Sequence, residues 1–182
     1  MSMSASDQVS PPYFVLTGPP GSGKTTVLRA LSERVNTVAE PARRILADQR
    51  RTGGKATGDQ DPALFVTHML ALAERDYKTA SGITVFDRGL PDLLGFTAYY
   101  QLDDMEVRTA IATCPYRSPI FFLPGWEEIY ETEDARTLDF PGAVAFGELI
   151  RRGYEQSGYS LIEVPIGTPQ ARAKFILDRT GA

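Results

Sequence analysis

The chain has 182 residues, an ordinary composition and a formal net charge of -4. This length suits one domain, and the charge argues against a broad basic face for nucleic acid. A single cysteine, Cys114, excludes an internal disulfide and a cysteine zinc cage, and no apolar run is long enough for a membrane span. The polar residues 1–12 predict a flexible tail before one domain at 13–182, with a cytoplasmic location.

The apolar residues 13–17 predict the first strand, and the sequence G-P-P-G-S-G-K-T follows directly at 18–25. This is a phosphate-binding loop pattern in its expected context, because a helix is predicted after it at 25–34. The glycines let backbone N–H groups approach phosphate oxygens, Lys24 supplies a positive charge, and the Thr25 hydroxyl is placed to ligate Mg²⁺. The predicted ligand is ATP, with GTP left open, and its predicted contacts are Gly18, Pro19, Pro20, Gly21, Ser22, Gly23, Lys24, Thr25 and Thr26.

A brief strand predicted at 36–39 is followed by Glu40, which opens a predicted helix. A carboxylate here would look toward the γ-phosphate and could accept a proton from an attacking hydroxyl. An acidic N-cap is an equally good interpretation of Glu40. Arg43, one helical turn later, is predicted to hold a substrate anion or a carboxylate, and Arg44 is left open between the pocket and a solvated face.

A polar loop at 52–61, predicted to be mobile, separates this helix from an amphipathic helix at 62–78. The apolar residues 83–86 then predict a strand that is buried on both faces. Asp87 and Arg88 close this strand. Asp87 has the position of an acid that holds Mg²⁺, and Arg88 could neutralise phosphate charge or orient the acceptor.

Asp92 is a candidate second acid, although capping of the next helix is the preferred interpretation. Helices are predicted at 93–100 and 105–113, and a strand at 119–123. The stretch 126–140 that follows is acidic and irregular.

This acidic stretch is interpreted as a lid over the triphosphate. A lid needs a cation to stabilise charge in the transition state, and Arg136 is the candidate inside the stretch. A solvated acidic loop is the alternative. Trp126, Tyr130 and Phe140 are predicted to be packing residues rather than a platform for the nucleobase.

A helix at 142–156, a strand at 159–164 and a helix at 168–178 complete the chain. Pro165 and Gly167 lie after the last strand, where backbone groups could meet the nucleobase; a capped strand-to-helix turn is an equally good interpretation. The alternation of strands and helices predicts a parallel α/β sheet, with the ligand beyond the carboxyl ends of its strands.

Several segments together resemble one family over about residues 13–177. They are F-V-L-T-G-P-P-G-S-G-K-T-T, A-E-P-A-R-R-I-L-A, D-P-A-L-F, V-F-D-R-G-L-P-D, F-F-L-P-G-W-E-E-I-Y and G-Y-S-L-I-E-V-P-I-G-T-P-Q-A-R. The chain is similar to the P-loop group of predicted ATPases and kinases that contains the nicotinamide-riboside kinase domain and the TRP-channel translocation-defect protein.

The resemblance implies a three-layer P-loop NTPase fold, with a five-stranded parallel sheet in the order 2-3-1-4-5, helices on both faces and a small lid. It also implies that Glu40 is a base or substrate ligand, that Asp87 and Arg88 act as a pair, and that Arg136 is the lid arginine. Pro165 and Gly167 would flank adenine.

Two classes of function follow. The first is a kinase that transfers the γ-phosphate of ATP·Mg²⁺ to a hydroxyl of a nucleoside-like or other small acceptor. Its predicted catalytic residues are Lys24, Glu40, Asp87, Arg88 and Arg136, its acceptor ligands are Glu40, Arg43 and Arg88, and its metal ligands are Thr25 and Asp87. The second is an ATP- or GTP-dependent switch or slow NTPase that acts through a protein partner, which the acidic lid favours. A homodimer is also left open.

Overall fold

The computed structural model describes residues 10–131 and 138–181. Strands and helices alternate along these residues. In chain order the elements are β1 (Tyr13–Thr17), α1 (Lys24–Leu31), β2 (Asn36–Val38), α2 (Pro41–Thr52), α3 (Pro62–Thr79), β3 (Thr84–Asp87), α4 (Asp92–Tyr100), α5 (Met105–Thr113), β4 (Ile120–Phe122), a 3-10 turn (Glu127–Ile129), α6 (Phe140–Gln156), β5 (Leu161–Glu163) and α7 (Pro169–Thr180).

The five strands form one parallel sheet in the order β2-β3-β1-β4-β5, which confirms the predicted fold. Leu16 of β1 lies opposite Asp87 of β3, and Val38 of β2 lies opposite Phe86. The carboxyl ends of parallel strands lie at one edge of a sheet. This register therefore brings the loop after β1, Glu40 after β2 and Asp87 together at one edge.

Helices cover both faces of the sheet, because alternate strand residues point in opposite directions. Val15 and Phe86 belong to a core cluster with α2 to α6, whereas Leu16 and Val85 belong to a second cluster with α1 and α7. The central strands β1 and β3 are buried along their whole length. They give the site that follows them a rigid support.

Two helices on one face approach each other closely. A Cβ added at Gly95 of α4 would lie 3.0 Å from the backbone N of Ile150 in α6, and one at Gly153 of α6 would lie 2.7 Å from the carbonyl O of Pro91. Absent side chains at these glycines let the two helix backbones nearly touch. This contact places the first turn of α4 beside the last turn of α6.

A few predicted boundaries differ from the observed ones. The strand predicted at 83–86 runs instead over Thr84–Asp87, so Asp87 is its last residue. The helix predicted from residue 142 begins at Phe140, because the Asp139 side chain caps it by accepting from the Gly142 N–H at 2.9 Å. The loop at 52–61 is anchored at Ala56, which is fully buried; its mobility remains a prediction.

Some predictions concern residues outside the described ranges. They are the lid arginine Arg136 and most of the tail predicted at 1–12, of which residues 10–12 are described. Across residues 10–131 and 138–181, no helix is both long and apolar enough to traverse a bilayer.

Candidate active site

The phosphate-binding loop connects β1 to α1, and its three glycines have positive φ angles. The φ angles of Gly18, Gly21 and Gly23 are 138°, 77° and 85°. A Cβ at Gly18 would lie 2.1 Å from the carbonyl O of Leu123, so this position accepts only glycine. Gly23 is the N-cap of α1 and supplies no capping side chain. The first N–H groups of α1 are therefore left for an anion.

Lys24 is buried inside this loop, with 6% of its surface exposed. Its ammonium donates to the carbonyl O of Gly18 at 3.1 Å, the carbonyl O of Pro19 at 2.7 Å and the hydroxyl of Ser22 at 3.3 Å. Burial lowers the pKa of Lys24 to about 7, and the Arg88 charge acts in the same direction. The carboxylates of Glu40, Asp87 and Asp92 oppose this shift. Lys24 thus belongs to the same charge cluster as these residues.

We expect ATP binding to this loop to weaken as the pH rises above 7. The free protein then loses the Lys24 proton, whereas a bound triphosphate would favour the ammonium form, so binding must take up a proton. The Kd should increase by up to about tenfold per pH unit until the pKa of the complex is reached. Titration calorimetry between about pH 7.5 and about pH 9.5, in buffers of different ionisation enthalpy, measures both the Kd and the proton uptake.

The control for this prediction is Lys24→Arg, because a guanidinium stays charged throughout that pH range. The pH dependence should disappear in this variant. A wild-type Kd that is constant over the range, without proton uptake, would contradict the expectation.

Glu40 and Arg88 form an ion pair beside the loop. Arg88 Nε donates to Glu40 Oε1 at 2.8 Å, and only 6% of the Arg88 side chain and 12% of the Glu40 side chain are exposed. Burial by itself raises the pKa of Glu40, but the Arg88 and Lys24 charges outweigh it and hold that pKa below its ordinary value. Glu40 is the N-cap residue of α2, yet its side chain makes no capping hydrogen bond. Its carboxylate is directed toward Arg88.

Asp87 is buried next to this pair, and its Oδ1 has no hydrogen-bond partner among the described residues. Burial raises the pKa of Asp87 to about 6, and the Glu40 charge acts in the same direction. An orphaned buried carboxylate oxygen is costly unless a ligand or ion satisfies it. Carboxylate and hydroxyl oxygens suit Mg²⁺, so Asp87 fits the predicted metal site. Thr25, the other predicted ligand, lies at the start of α1.

Asp92 does not cap helix α4, which was the preferred interpretation from the sequence. It is the first residue of α4, and the helix has no side-chain capping bond. Its buried carboxylate instead accepts from Arg88 Nη1 at 2.7 Å, the Thr17 hydroxyl at 2.6 Å, the Gly89 N–H at 2.9 Å and the Tyr154 hydroxyl. Asp92 therefore fixes Arg88, whose φ of 70° is unusual for a residue with a side chain.

The two arginines of α2 have different environments. Arg43 Nε donates to Glu40 Oε2 at 3.1 Å, and half of its side chain is exposed. Arg44 instead pairs with Asp76 on α3. The structure thus brings Arg43 to the Glu40 carboxylate, whereas Arg44 contacts a neighbouring helix.

The segment after β5 has the geometry of a capped turn. The Thr168 side chain accepts from the Ala171 N–H at 3.2 Å at the start of α7. Pro165 in this turn is exposed and Gly167 is partly exposed. Their predicted contact with a nucleobase stays a prediction.

The aromatic residues at the two ends of the acidic stretch make contacts within the chain. The rings of Tyr130 and Phe140 meet edge to face with their centroids 5.5 Å apart. Trp126 is half-buried, and its indole N–H donates to Glu128 Oε2 at 3.1 Å.

Sequence reasoning missed Tyr154 and Arg172. Tyr154 lies on α6, fully buried, and its hydroxyl accepts from the Gly89 N–H at 3.1 Å. Arg172 lies on α7 and donates to the carbonyl O of Ser22 in the phosphate-binding loop at 2.9 Å. In the sequence, Arg172 lies four residues before the apolar Ile176 and one turn after the helix start. This spacing is the only signal for burial, and an arginine in a helix is usually expected at the surface.

The fold is shared with several solved kinases. Shikimate kinase from Acinetobacter baumannii, in complex with shikimate, has 17% sequence identity and a TM-score of 0.62, and the match covers 93% of this chain and 92% of that one. Deoxyadenosine kinase from M. mycoides, with dCMP and dCDP bound, has 13% identity, a TM-score of 0.63 and coverages of 93% and 98%. NadR in complex with NR has 16% identity and a TM-score of 0.67, and the match covers 95% of this chain but 52% of NadR.

A family model described as an AAA domain matches residues 13–172. A search of curated proteins finds no match. The family match covers the phosphate-binding loop, Glu40, Asp87, Arg88 and the start of α7, and it confirms the resemblance inferred from the sequence segments. The protein belongs to this AAA domain family, and it has the fold of P-loop kinases.

Proposed function

We propose that the protein is a small-molecule kinase that transfers the γ-phosphate of ATP·Mg²⁺ to a hydroxyl group. The observation that carries this proposal is the carboxylate cluster at the phosphate-binding loop. Glu40, Asp87 and Asp92 all influence the pKa of Lys24, and Arg88 connects Glu40 to Asp92 through bonds of 2.8 and 2.7 Å. Phosphoryl transfer depends on such positioned charges more than on covalent chemistry.

In this proposal the loop and Lys24 hold the triphosphate. Thr25 and the free oxygen of Asp87 would hold Mg²⁺, which would supply positive charge to the phosphate oxygens when it is bound. Arg88 is fixed by two carboxylates, so its position is set before any substrate arrives. Such preorganised charge is the main source of catalysis in this type of reaction. The lid role of Arg136 remains part of the proposal.

Glu40 is the proposed base for the acceptor hydroxyl. Its pKa lies below the ordinary value, so the carboxylate is ionised at neutral pH. Its side chain keeps 12% of its surface accessible, whereas Asp87 as a whole residue is 2% exposed. We therefore assign Glu40, the more accessible carboxylate, to the acceptor and Asp87, the more buried one, to the metal.

The proposed acceptor is a small molecule with a free hydroxyl group, of the nucleoside or polyol kind. Three observations support this acceptor. The Glu40 carboxylate could accept a hydroxyl proton, and the half-exposed Arg43 lies beside that carboxylate. A shikimate kinase and a deoxyadenosine kinase also have this fold.

The test is an assay of ADP release with ATP·Mg²⁺ and a panel of acceptors. The panel contains nucleosides, deoxynucleosides, pyridine ribosides, shikimate and simple sugars, and phosphorylated products are identified by mass spectrometry. We expect one class of acceptor to stimulate ADP release and to appear with one added phosphoryl group. A flat response over the panel, together with slow nucleotide release, would reject the kinase and favour the regulatory switch.

A further inference from the structure

A buried arginine that the proposed reaction does not use lies against the outside of the phosphate-binding loop. Arg172 is 3% exposed and sits on the core-facing side of α7, next to Ala173 and Ile176. Its Nη1 donates to the carbonyl O of Ser22 at 2.9 Å, across 150 positions of sequence. The same nitrogen is 3.2 Å from the place that a Cβ on Gly23 would occupy. The arginine therefore contacts the peptide that joins Ser22 to Gly23.

The other two nitrogens of this guanidinium, Nε and Nη2, are buried and have no hydrogen-bond partner in the part of the chain that the structure describes. No ion pair to Arg172 occurs there either, and the ring of Trp126 lies 5.9 Å from the centre of the guanidinium. Burial accordingly lowers the pKa of Arg172. A buried cation with unmet N–H groups stabilises a fold poorly, because these groups lose their hydration without compensation.

The contact with Ser22 has a consequence on the opposite side of the same peptide. In a planar trans peptide the carbonyl and the following N–H point in opposite directions. Because the Ser22 carbonyl faces Arg172, the Gly23 N–H points away from α7, as a phosphate cradle requires of its amides. A cation on the carbonyl also polarises the peptide and makes its N–H a stronger donor.

We propose that Arg172 is a positioning residue for nucleotide binding: by holding the Ser22 carbonyl from α7, it orients the Gly23 N–H toward the bound phosphate. This inference rests on the proposed binding of a nucleoside triphosphate by the loop. It does not depend on which acceptor is phosphorylated. The contact between Arg172 and the loop backbone would give α7, the last helix described, a role in nucleotide binding.

The test compares ATP binding and stability in Arg172→Met, since methionine fills similar space without charge. A positioning role predicts that the Kd for ATP, measured by calorimetry, rises about tenfold, the size expected for a lost charge-assisted contact. The midpoint of thermal unfolding should stay constant or rise, because the unmet N–H groups are gone. A Kd equal to that of the wild type would overturn the proposal.

The matched control is Arg179→Met on the same helix. Arg179 stacks on Phe175 at 3.6 Å and lies away from the loop, so its loss should leave the Kd for ATP unchanged. A Kd that rises as much in this variant as in Arg172→Met would also overturn the proposal, because it would show a general effect of charge on α7.

Arg172→Lys provides a second measurement, in case the methionine variant does not fold. An ammonium can reach the Ser22 carbonyl but not with the same planar geometry. We expect a higher KM for ATP with an unchanged KM for the acceptor and an unchanged unfolding midpoint. Equal changes in both KM values, or a lower midpoint, would indicate a purely structural residue. If the wild type binds ATP but phosphorylates no acceptor, the kinase proposal fails while the calorimetric comparison still decides this one.

Discussion

Glu40→Gln is expected to lower kcat for phosphoryl transfer by about 10²- to 10⁴-fold, the usual contribution of a general base, and to leave the Kd for ATP unchanged. The amide keeps the shape of the side chain and an oxygen that can accept from Arg88, which donates to Glu40 Oε1 at 2.8 Å. It cannot take the proton of an attacking hydroxyl. Binding of ATP does not need that proton transfer, so binding and turnover should separate.

The measurement for Glu40→Gln combines steady-state kinetics, with the acceptor identified by the panel, and calorimetry with ATP. The control is Asp48→Asn on the same helix, because Asp48 forms an exposed ion pair with Arg51 and lies outside the proposed site. A wild-type kcat in the Glu40 variant would remove Glu40 from the role of base. That role would then pass to Asp87, whose pKa of about 6 also suits a base near neutral pH.

Lys24→Met should lower kcat/KM by about 10²- to 10³-fold, as the loss of one preorganised charge does in other electrostatic sites. Methionine has a similar length, so the buried space in the loop stays filled. The variant loses the positive charge that the transferring phosphoryl group needs. It also loses three bonds that hold the loop, to the carbonyl groups of Gly18 and Pro19 and to the Ser22 hydroxyl. Both binding and turnover are therefore expected to weaken.

Kinetics with saturating acceptor check this expectation, and circular dichroism shows whether the variant is folded. Lys174→Met on α7 is the control, since Lys174 is exposed and pairs with Asp178 on the surface. Turnover in Lys24→Met within a few-fold of the control would mean that the loop does not stabilise the transition state.

Much of this architecture could be predicted because its signals are contiguous in sequence. The phosphate-binding loop is eight adjacent residues, and Asp87 and Arg88 directly follow a short apolar run. Parallel strands end at one edge of the sheet, so residues after strand ends meet even when they are distant in sequence. Glu40 and Arg88, 48 positions apart, are such a case.

The parts that could not be predicted depend on distances between helices. Asp92 looked like a helix cap because an acid at a helix start usually is one. Its true partners Thr17 and Tyr154 come from a strand and a distant helix, and their contact requires the close packing of α4 on α6 at Gly95 and Gly153. No local pattern encodes that packing.

The backbone of Arg88 has a consequence for efforts to make this protein more thermostable. A left-handed conformation costs a residue with a side chain about 1–2 kcal/mol, and glycine would relieve it. A rule that replaces every left-handed residue by glycine would therefore select Arg88→Gly. The same change removes the partner of two buried carboxylates, Glu40 and Asp92, and an uncompensated buried charge costs about 3–5 kcal/mol, which exceeds the relief. Heat resistance and the proposed phosphoryl transfer should therefore both fall in Arg88→Gly, so the unusual backbone at this codon is no target for stabilisation.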